Sequence, residues 1–171
     1  MPRALPLAAL TLWLLTVHAA PAACYDQANG VQRRFTLNGA EALDTKTGLI
    51  WHRCSLGTTW NGARGCEGET AFVNLDEAKR RAAAEGVGWR VPSGPELQSI
   101  IDRSCGAPVV DPAVFPDIRP DDDGAADYWT TSPVGAANLV YFFDFMSGDA
   151  DAHSRGFHLA VRLVRDGPQR P

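Results

Sequence analysis

Short stretches of alternating apolar and polar residues open the patterned part of this sequence. Residues 34–37, 42–44 and 49–54 each alternate, and the turn-forming pair Asn38-Gly39 separates the first two. Alternation with a period of two is typical of half-buried strands, and tight turns between such strands favour antiparallel pairing. The pattern therefore predicts a group of short antiparallel strands at the start of the domain.

A helical period replaces this alternation over residues 75–85. Asn74 is a suitable N-cap before it, and Gly86 is a suitable terminator after it. The apolar face of this predicted helix is narrow and consists of Leu75, Ala78 and Ala82. Because these side chains are mostly small, we expect the helix to pack closely against a neighbouring sheet.

The segment around which the rest of the chain is organised runs from a strand end into a second helix, over residues 88–97. Val91 precedes a proline and therefore stays extended. Ser93 and Glu96 have the spacing of a capping box, so the helix begins at this point. Its apolar face consists of Leu97, Ile100 and Ile101.

The stretch from residue 102 to residue 126 is rich in Pro, Asp and Gly and shows no period. We expect Val114 and Phe115 to enter the core and the remainder to lie on the surface. Three later segments are rich in aromatic and β-branched residues, which favours strands. They are residues 128–131, 139–145 and 158–165.

This order of elements indicates an α+β fold, in which a single domain combines two helices, antiparallel strands and long loops. With 171 residues, of which 45% are hydrophobic, the chain can bury one core. The predicted core consists of Trp51, Trp89, Leu97, Ile101, Trp129, Phe145 and Val161.

The first residues have the composition of an export signal. Arg3 supplies a short positive region, residues 5–17 form an apolar run, and small residues suitable for cleavage follow. We therefore divide the chain into a signal peptide, 1–23, and a domain, 24–171, whose core spans about 33–165. No later segment is apolar enough to span a membrane. These features predict a protein that is periplasmic, secreted or held at the cell surface.

The cysteines support the same compartment. In an exported chain an even number of cysteines indicates disulfides, although four cysteines can pair in more than one way. We favour Cys54 with Cys66, which enclose a short glycine-rich loop, and this leaves Cys24 to pair with Cys105. The residues before Cys24 loosely resemble a lipoprotein cleavage site, so a lipid anchor at Cys24 is the less favoured alternative.

Patterns typical of metal sites are weak. The consecutive carboxylates at 121–123, together with Asp127, offer oxygen ligands of the kind that calcium prefers, but a solvated loop is the favoured interpretation. His153 and His158 are not accompanied by a zinc-binding pattern. We therefore expect neither a metal nor a cofactor.

Patterns typical of catalysis and of nucleic-acid binding are weak as well. Asp151, His153 and Ser154 have the composition of a catalytic triad, but neighbours on one loop rarely converge on one point. We therefore expect no catalytic residues. The formal net charge of −4 argues against general nucleic-acid binding, which requires a basic surface.

The order of the motifs is more informative than any one of them. The series comprises residues 44–51, 54–66, 88–97, 115–116, 128–132, 143–148 and 161–165. It resembles the Lcl C-terminal domain family of bacterial proteins over about residues 33–165. The resemblance implies a variant of the C-type-lectin-like fold, distantly similar to the domain of formylglycine-generating enzymes.

The same resemblance implies binding at a cell surface. The adhesin domain after which the family is named engages sulfated polysaccharides, but the net negative charge of this chain argues against a polyanionic ligand. Oxidases related to formylglycine-generating enzymes need a late cysteine pair to hold copper. This chain has no cysteine after Cys105, which argues against that chemistry.

Polar and aromatic side chains on rigidly framed loops are the best candidates for a ligand-binding face. Trp60 lies in the loop between Cys54 and Cys66, among Thr, Asn and Gly residues that leave room for its exposure. The other candidates belong to the hairpin region between the last strands: Asn138, Tyr141, Asp149, Asp151, His153 and Arg155.

We interpret the chain as a non-catalytic extracytoplasmic recognition module for a polysaccharide or a surface protein. A structural or accessory subunit of a cell-surface assembly is the alternative. A hydrolase or oxidase ranks last, and the oligomeric state is left open.

Overall fold

The computed structural model describes residues 34–135 and 138–168, and within these ranges the chain forms nine strands and two α-helices. The strands are β1 (Phe35–Asn38), β2 (Glu41–Asp44), β3 (Leu49–His52), β4 (Thr58–Trp60), β5 (Cys66–Gly68), β6 (Asp127–Val134), β7 (Leu139–Asp144), β8 (Ala150–Ser154) and β9 (Val164–Asp166). The helices are α1 (Leu75–Ala84) and α2 (Gly94–Ser99). The predicted α+β class is confirmed, with two helices, antiparallel sheets and a disulfide.

The strands predicted near the start form the first sheet, in the order β1-β2-β3-β9. Gly39 turns the chain between β1 and β2 with a φ angle of 55°, a conformation that favours glycine. β9 pairs with β3 in an antiparallel manner, with Val164 opposite Trp51. The first sheet therefore joins the beginning of the described domain to its end.

The prediction of a strand at 158–165 is wrong over most of its length, because only Val164–Asp166 joins a sheet. Residues 159–163 are all buried and cross the interior, making isolated bridges such as that between Val73 and Leu159. Because all of these residues are buried, the segment has no solvent-facing side that would give it an alternating apolar and polar pattern. The sequence pattern therefore could not distinguish it from a strand.

The third sheet has the order β6-β7-β8 and includes a strand that the sequence did not predict. Residues 150–154 contain no β-branched side chain, so we expected a loop where β8 forms. Val140 lies opposite His153, and Phe142 lies opposite Asp151. Because side chains alternate along a strand, His153 and Asp151 lie on one face of this sheet.

The loop between Cys54 and Cys66 is a short hairpin rather than an irregular loop, since β4 and β5 pair within it. The predicted disulfide between Cys54 and Cys66 is confirmed, with the two Cα atoms 5.5 Å apart. Cys105 is also disulfide-bonded. Its predicted partner, Cys24, lies outside the described residues, as does the predicted signal peptide, so that pairing stays a prediction.

Helix α1 begins where predicted and buries the predicted face. The side chain of Asn74 accepts the backbone N–H of Glu77 at 3.0 Å. The buried residues of the helix are Leu75, Ala78 and Ala82. No helix in the described ranges is long and apolar enough to cross a membrane.

Helix α2 begins with the predicted capping box, to which Arg90 adds a salt bridge. Oε2 of Glu96 accepts the backbone N–H of Ser93 at 2.8 Å. The Glu96 carboxylate accepts two further hydrogen bonds from Arg90, at 2.7 and 2.8 Å. The hydrogen bonds from Arg90 outweigh burial and, together with those from Ser93, lower the pKa of Glu96 to about 2.

Two apolar clusters form the core. The first lies among the first sheet, α2 and the loop after α2, and includes Trp51, Leu97, Phe115 and Phe145. The second lies between α1 and the third sheet and includes Leu75, Trp129, Phe142 and Val161. The stretch 102–126 buries Val109, Val110 and Ile118 as well as the predicted Val114 and Phe115. The expectation that the remainder of that stretch lies on the surface is therefore wrong at these positions.

Two of the predicted core residues are only half-buried, Trp89 and Ile101. Helix α2 ends at Ser99, so Ile101 lies beyond the helical face on which it was placed. The Arg165 guanidinium lies 5.0 Å from the ring centroid of Trp89, and it covers part of the ring in place of apolar side chains.

Replacing Glu96 with Gln should destabilise the domain by about 1 kcal/mol at neutral pH, after allowance for solvent screening of a partly exposed pair. The pKa of Glu96 is lowered in the folded state. Its charge therefore stabilises the fold above the usual pKa, and this contribution is lost as the pH falls towards 2.

Urea unfolding of Glu96→Gln and the wild type should thus converge between about pH 5 and pH 2. Glu69→Gln, at an exposed loop position, is the matched control and should behave as the wild type at every pH. A difference between Glu96→Gln and the wild type that is independent of pH would contradict this account.

Candidate functional site

An open cleft of about 830 Å³ lies beside the disulfide-closed hairpin, and we call it the hairpin cleft. Its lining comes mainly from three parts of the chain: the hairpin β4–β5, the loop of residues 116–126, and residues 157–160 with the start of β6. A cleft of this volume is large enough for a small ligand or for a few side chains of a larger one.

The aromatic side of the hairpin cleft is positioned by the backbone bridge between Val73 and Leu159. Both of these residues are buried in the core. Their neighbours Phe72 and Phe157 line the cleft instead, with exposed fractions of 55% and 48%. Two large apolar rings thus face solvent in the same cleft.

Phe157 is held in place by a stack of three rings. The ring of His153 lies 3.9 Å from that of Phe157, with 7° between their planes. On its other side the His153 ring lies 4.9 Å from that of Phe142, with 13° between the planes. Because Phe142 is buried, the exposed ring is supported by the core and has a fixed orientation.

Sequence reasoning missed both phenylalanines, although the pair Phe72-Val73 carried a usable signal. Consecutive residues of an extended segment point in opposite directions, so only one member of the pair can face the core. Val73 precedes the N-cap Asn74, where an apolar residue commonly packs against the first helical turn. The position before the N-cap therefore predicts that Val73 is buried and that Phe72 is exposed.

Besides Asp117, four acidic side chains line the hairpin cleft. Asp121, Asp122 and Asp123 are exposed in the loop, and Asp127 begins β6. The Asp121 carboxylate accepts the backbone N–H groups of Asp123 at 2.9 Å and of Ala125 at 3.0 Å. These two hydrogen bonds hold the loop in a tight turn and keep its carboxylates at the cleft.

Asp127 has a carboxyl group that resists ionisation. Burial raises the pKa of Asp127, and the negative charges of Asp144 and Asp121 add to this effect. The pKa reaches about 6, although His153 opposes the shift. The ionised form of Asp127 is therefore disfavoured by its neighbours as well as by the loss of water.

A buried ion pair lies next to the hairpin cleft. Nη2 of Arg162, a side chain with no exposed surface, donates to Oδ1 of Asp117 at 2.6 Å and to Oγ of Ser55 at 2.9 Å. The Ser55 hydroxyl also lies 2.7 Å from the hydroxyl of Tyr128. Burial raises the pKa of Asp117, but the charge and the hydrogen bonds of Arg162 outweigh it, and the pKa falls below its usual value.

Within the described residues, one group of potential metal ligands has converging atoms: Cys54, Cys66 and Asp117, all within 4.8 Å of one another. The two cysteines are joined in the disulfide, and Asp117 is paired with Arg162. These ligand atoms are therefore already engaged. The carboxylates of residues 121–123 do not converge with Asp127 in this way.

The structure separates the residues that were predicted to form one ligand-binding face. His153 lines the hairpin cleft, and Asp151 lies on the same face of the third sheet. Tyr141 is 40% exposed but lies on the other face, because it is adjacent to Phe142 along β7.

The other predicted residues on the third sheet and its turns lie away from the cleft lining. Asn138 follows the β6–β7 turn with a φ angle of 26°. Asp149 forms a salt bridge with Arg103 at 3.0 Å, and Arg155 forms one with Asp76. Among the predicted residues, only His153 reaches the hairpin cleft.

Trp60 is half-buried rather than fully exposed. The Arg53 guanidinium lies 3.7 Å from the ring centroid of Trp60 and covers one face of it. Arg53 is itself held by the backbone carbonyl groups of Val114 and Ala113, at 3.2 and 2.9 Å. The exposure of Trp60 is therefore partial, since Arg53 covers this face of the ring.

These features define an α+β domain with a disulfide-closed hairpin and an open cleft bordered by aromatic and acidic side chains. The sequence model of the Lcl C-terminal domain family matches residues 41–165, which is most of the chain. The chain therefore belongs to this family, as the order of its motifs predicts. No curated protein matches the chain significantly.

Replacing Asp117 with Asn should cost about 3 kcal/mol or more of the free energy of unfolding, because the buried charge of Arg162 loses its partner. Chemical unfolding followed by tryptophan fluorescence measures this cost. Asp123→Asn, in the same loop but exposed, is the control and should stay within about 0.5 kcal/mol of the wild type. A similar small effect of Asp117→Asn would refute the importance of the ion pair.

Replacing Asp127 with Asn should stabilise the domain by about 1 kcal/mol at pH 7.5, after discounting for a group that keeps part of its solvent contact. The folded pKa of about 6 lies above the usual value. The wild type therefore loses stability as the pH rises from about 4 to about 6.

Thermal unfolding at pH 7.5 and at about pH 4 tests the sign of this pH dependence. The advantage of Asp127→Asn should be largely lost at about pH 4, where the carboxyl group is protonated in the folded state and about half protonated in the unfolded chain. Asp122→Asn removes a more exposed charge and should have a smaller effect. Equal stabilisation by Asp127→Asn at both pH values would contradict the account of the acidic side of the cleft.

Proposed function

We propose that this domain is a non-catalytic extracytoplasmic recognition module that binds a glycan or protein ligand in the hairpin cleft. The observation that carries the proposal is the exposure of Phe72 and Phe157 on the wall of one cleft. Burying a side chain of this size contributes about 1.5–3 kcal/mol. The ring stack beneath Phe157 keeps one of these surfaces rigid, which limits the entropy lost on binding.

The compartment is supported by the disulfides. Cys54 and Cys66 are joined, and Cys105 is disulfide-bonded as well. Such bonds persist in oxidising environments outside the cytoplasm. The signal peptide predicted at 1–23 agrees with this location.

We also propose the C-type-lectin-like assignment that the family resemblance implies. It is supported by the α+β order and by the pairing of β9 with β3. In such an arrangement a closed scaffold presents long loops, and the hairpin cleft lies where the loop of residues 116–126 meets the hairpin β4–β5.

Acid–base catalysis is the second candidate, because a carboxyl group with a pKa of about 6 in an open cleft suits a general acid. The groups beside Asp127 are already engaged, however. Asp144 accepts the backbone N–H groups of Ala126 and Met146, each at 2.8 Å. His153 is stacked between two rings. We therefore place recognition before catalysis.

Arrays of glycans and peptides, probed with the purified protein at physiological salt with and without calcium, test the proposed function. We expect saturable binding whose Kd rises at least about tenfold in the double variant Phe72→Ser, Phe157→Ser. Leu37→Ser is the matched control, because Leu37 is 43% exposed on β1 and does not line the cleft. It should bind as the wild type does.

The opposing outcomes are distinct. Binding that survives the double variant would place the ligand elsewhere on the domain. Arrays without any binding, together with co-purification of envelope proteins, would favour the structural or accessory role in a surface assembly. Turnover of chromogenic glycosides or esters that Asp127→Asn abolishes would favour catalysis instead.

A further inference from the structure

The charge of the hairpin cleft is unbalanced. Asp117 is neutralised by Arg162. Arg64 is paired with Glu67 at 2.9 Å. Besides His153 and His158, the remaining acidic and basic lining residues are Arg119 and four carboxylates, those of Asp121, Asp122, Asp123 and Asp127. A concave surface with an excess of carboxylates attracts cations and repels anions.

Burial is the main cause of the raised pKa of Asp127, and the negative charge of Asp121, a second carboxylate of the cleft, adds to it. Burial and neighbouring negative charges together raise that pKa to about 6. The neighbours that raise it are Asp144, Asp121 and Asp151, and His153 acts in the opposite sense. A cationic ligand would relieve the repulsion between these negative charges, an uncharged sugar would leave it in place, and an anionic polysaccharide would add to it.

The aromatic side of the cleft suits the same kind of ligand. Lysine and arginine side chains combine a long apolar stem with a cationic end, so they cover apolar surface while the charge stays near water. Aromatic rings also attract a cation placed over their faces. The domain already contains this arrangement, since the guanidinium of Arg53 lies 3.7 Å from the ring centroid of Trp60.

We propose that the hairpin cleft binds a lysine- or arginine-bearing segment of a protein partner. The stems of these side chains contact Phe72 and Phe157, and their cationic ends pair with Asp127 and the carboxylates of residues 121–123. A polypeptide side chain carries both features that the cleft complements, whereas a lone cation carries only the charge. The inference rests on the proposed function, because it names the class of ligand for the same cleft.

The test uses the full chain and a fluorescein-labelled peptide of alternating lysine and glycine, followed by fluorescence anisotropy at pH 7.5. We expect saturable binding that weakens at least about tenfold between roughly 50 and 500 mM NaCl, because exposed charges are screened by salt. Peptides with glutamine or glutamate in place of lysine should not bind.

Three variants test whether the peptide binds in the hairpin cleft. Asp127→Asn should raise the Kd for the lysine peptide at least about fivefold, and Phe157→Ser should do the same. Asp166→Asn removes an equal charge at an exposed position that does not line the cleft, and it should leave the Kd unchanged. Because Asp127→Asn is expected to unfold at a higher temperature than the wild type, its loss of binding would not reflect unfolding.

Several outcomes would overturn the inference. A glycan or a glutamate peptide that binds in a Phe72- and Phe157-dependent manner, while the lysine peptide does not, would leave the proposed function standing and reject the basic partner. Spermine or Ca²⁺ that binds alone, at the same carboxylates and without any role of the rings, would replace the protein segment with a simple cation. If none of these ligands bound in the cleft, the proposed function would be rejected as well.

Discussion

The buried ion pair between Arg162 and Asp117 is the interaction on which the arrangement of this domain depends. Arg162 belongs to the segment that crosses the interior, Asp117 belongs to the loop of residues 116–126, and Ser55 connects both to the disulfide-closed hairpin. A guanidinium removed from water is strongly destabilising unless its charge is paired. Three segments must therefore meet in one geometry. The hairpin cleft lies where these same segments reach the surface, so its shape follows from a constraint in the interior.

Features determined by neighbouring residues could be predicted from the sequence, and features determined by distant ones could not. The buried stripe of α1 and the capping box of α2 depend on spacings of three or four residues, and both are observed. The hairpin β4–β5 and the strand β8 depend on partners rather than on their own alternation, since residues 150–154 contain no β-branched side chain. Residues 159–163 are buried along their whole length, and their apolar character was therefore taken for a strand that the sheet does not contain.

The same contrast between features set by neighbouring residues and features set by distant residues holds for the candidate site. The acidic residues 121–123 and Asp127 were noticed as a group because they are close in sequence, but only as a weak metal site. Of the residues predicted to bind a ligand, His153 is the one that lines the hairpin cleft. Phe72 and Phe157 are far apart in the chain, and only the bridge between Val73 and Leu159 brings their segments together. A pairing of this kind leaves no periodic trace in the sequence.

The pairing of β9 with β3 has a consequence for how the chain matures. Until Val164–Asp166 is available, the strand Leu49–His52 presents an uncovered edge, and such an edge is a template for pairing with other chains. Contacts between distant parts of a chain also form slowly. A newly made molecule therefore passes through a period in which it can associate with its own copies, and molecular chaperones that shield this edge would protect the yield of the finished domain.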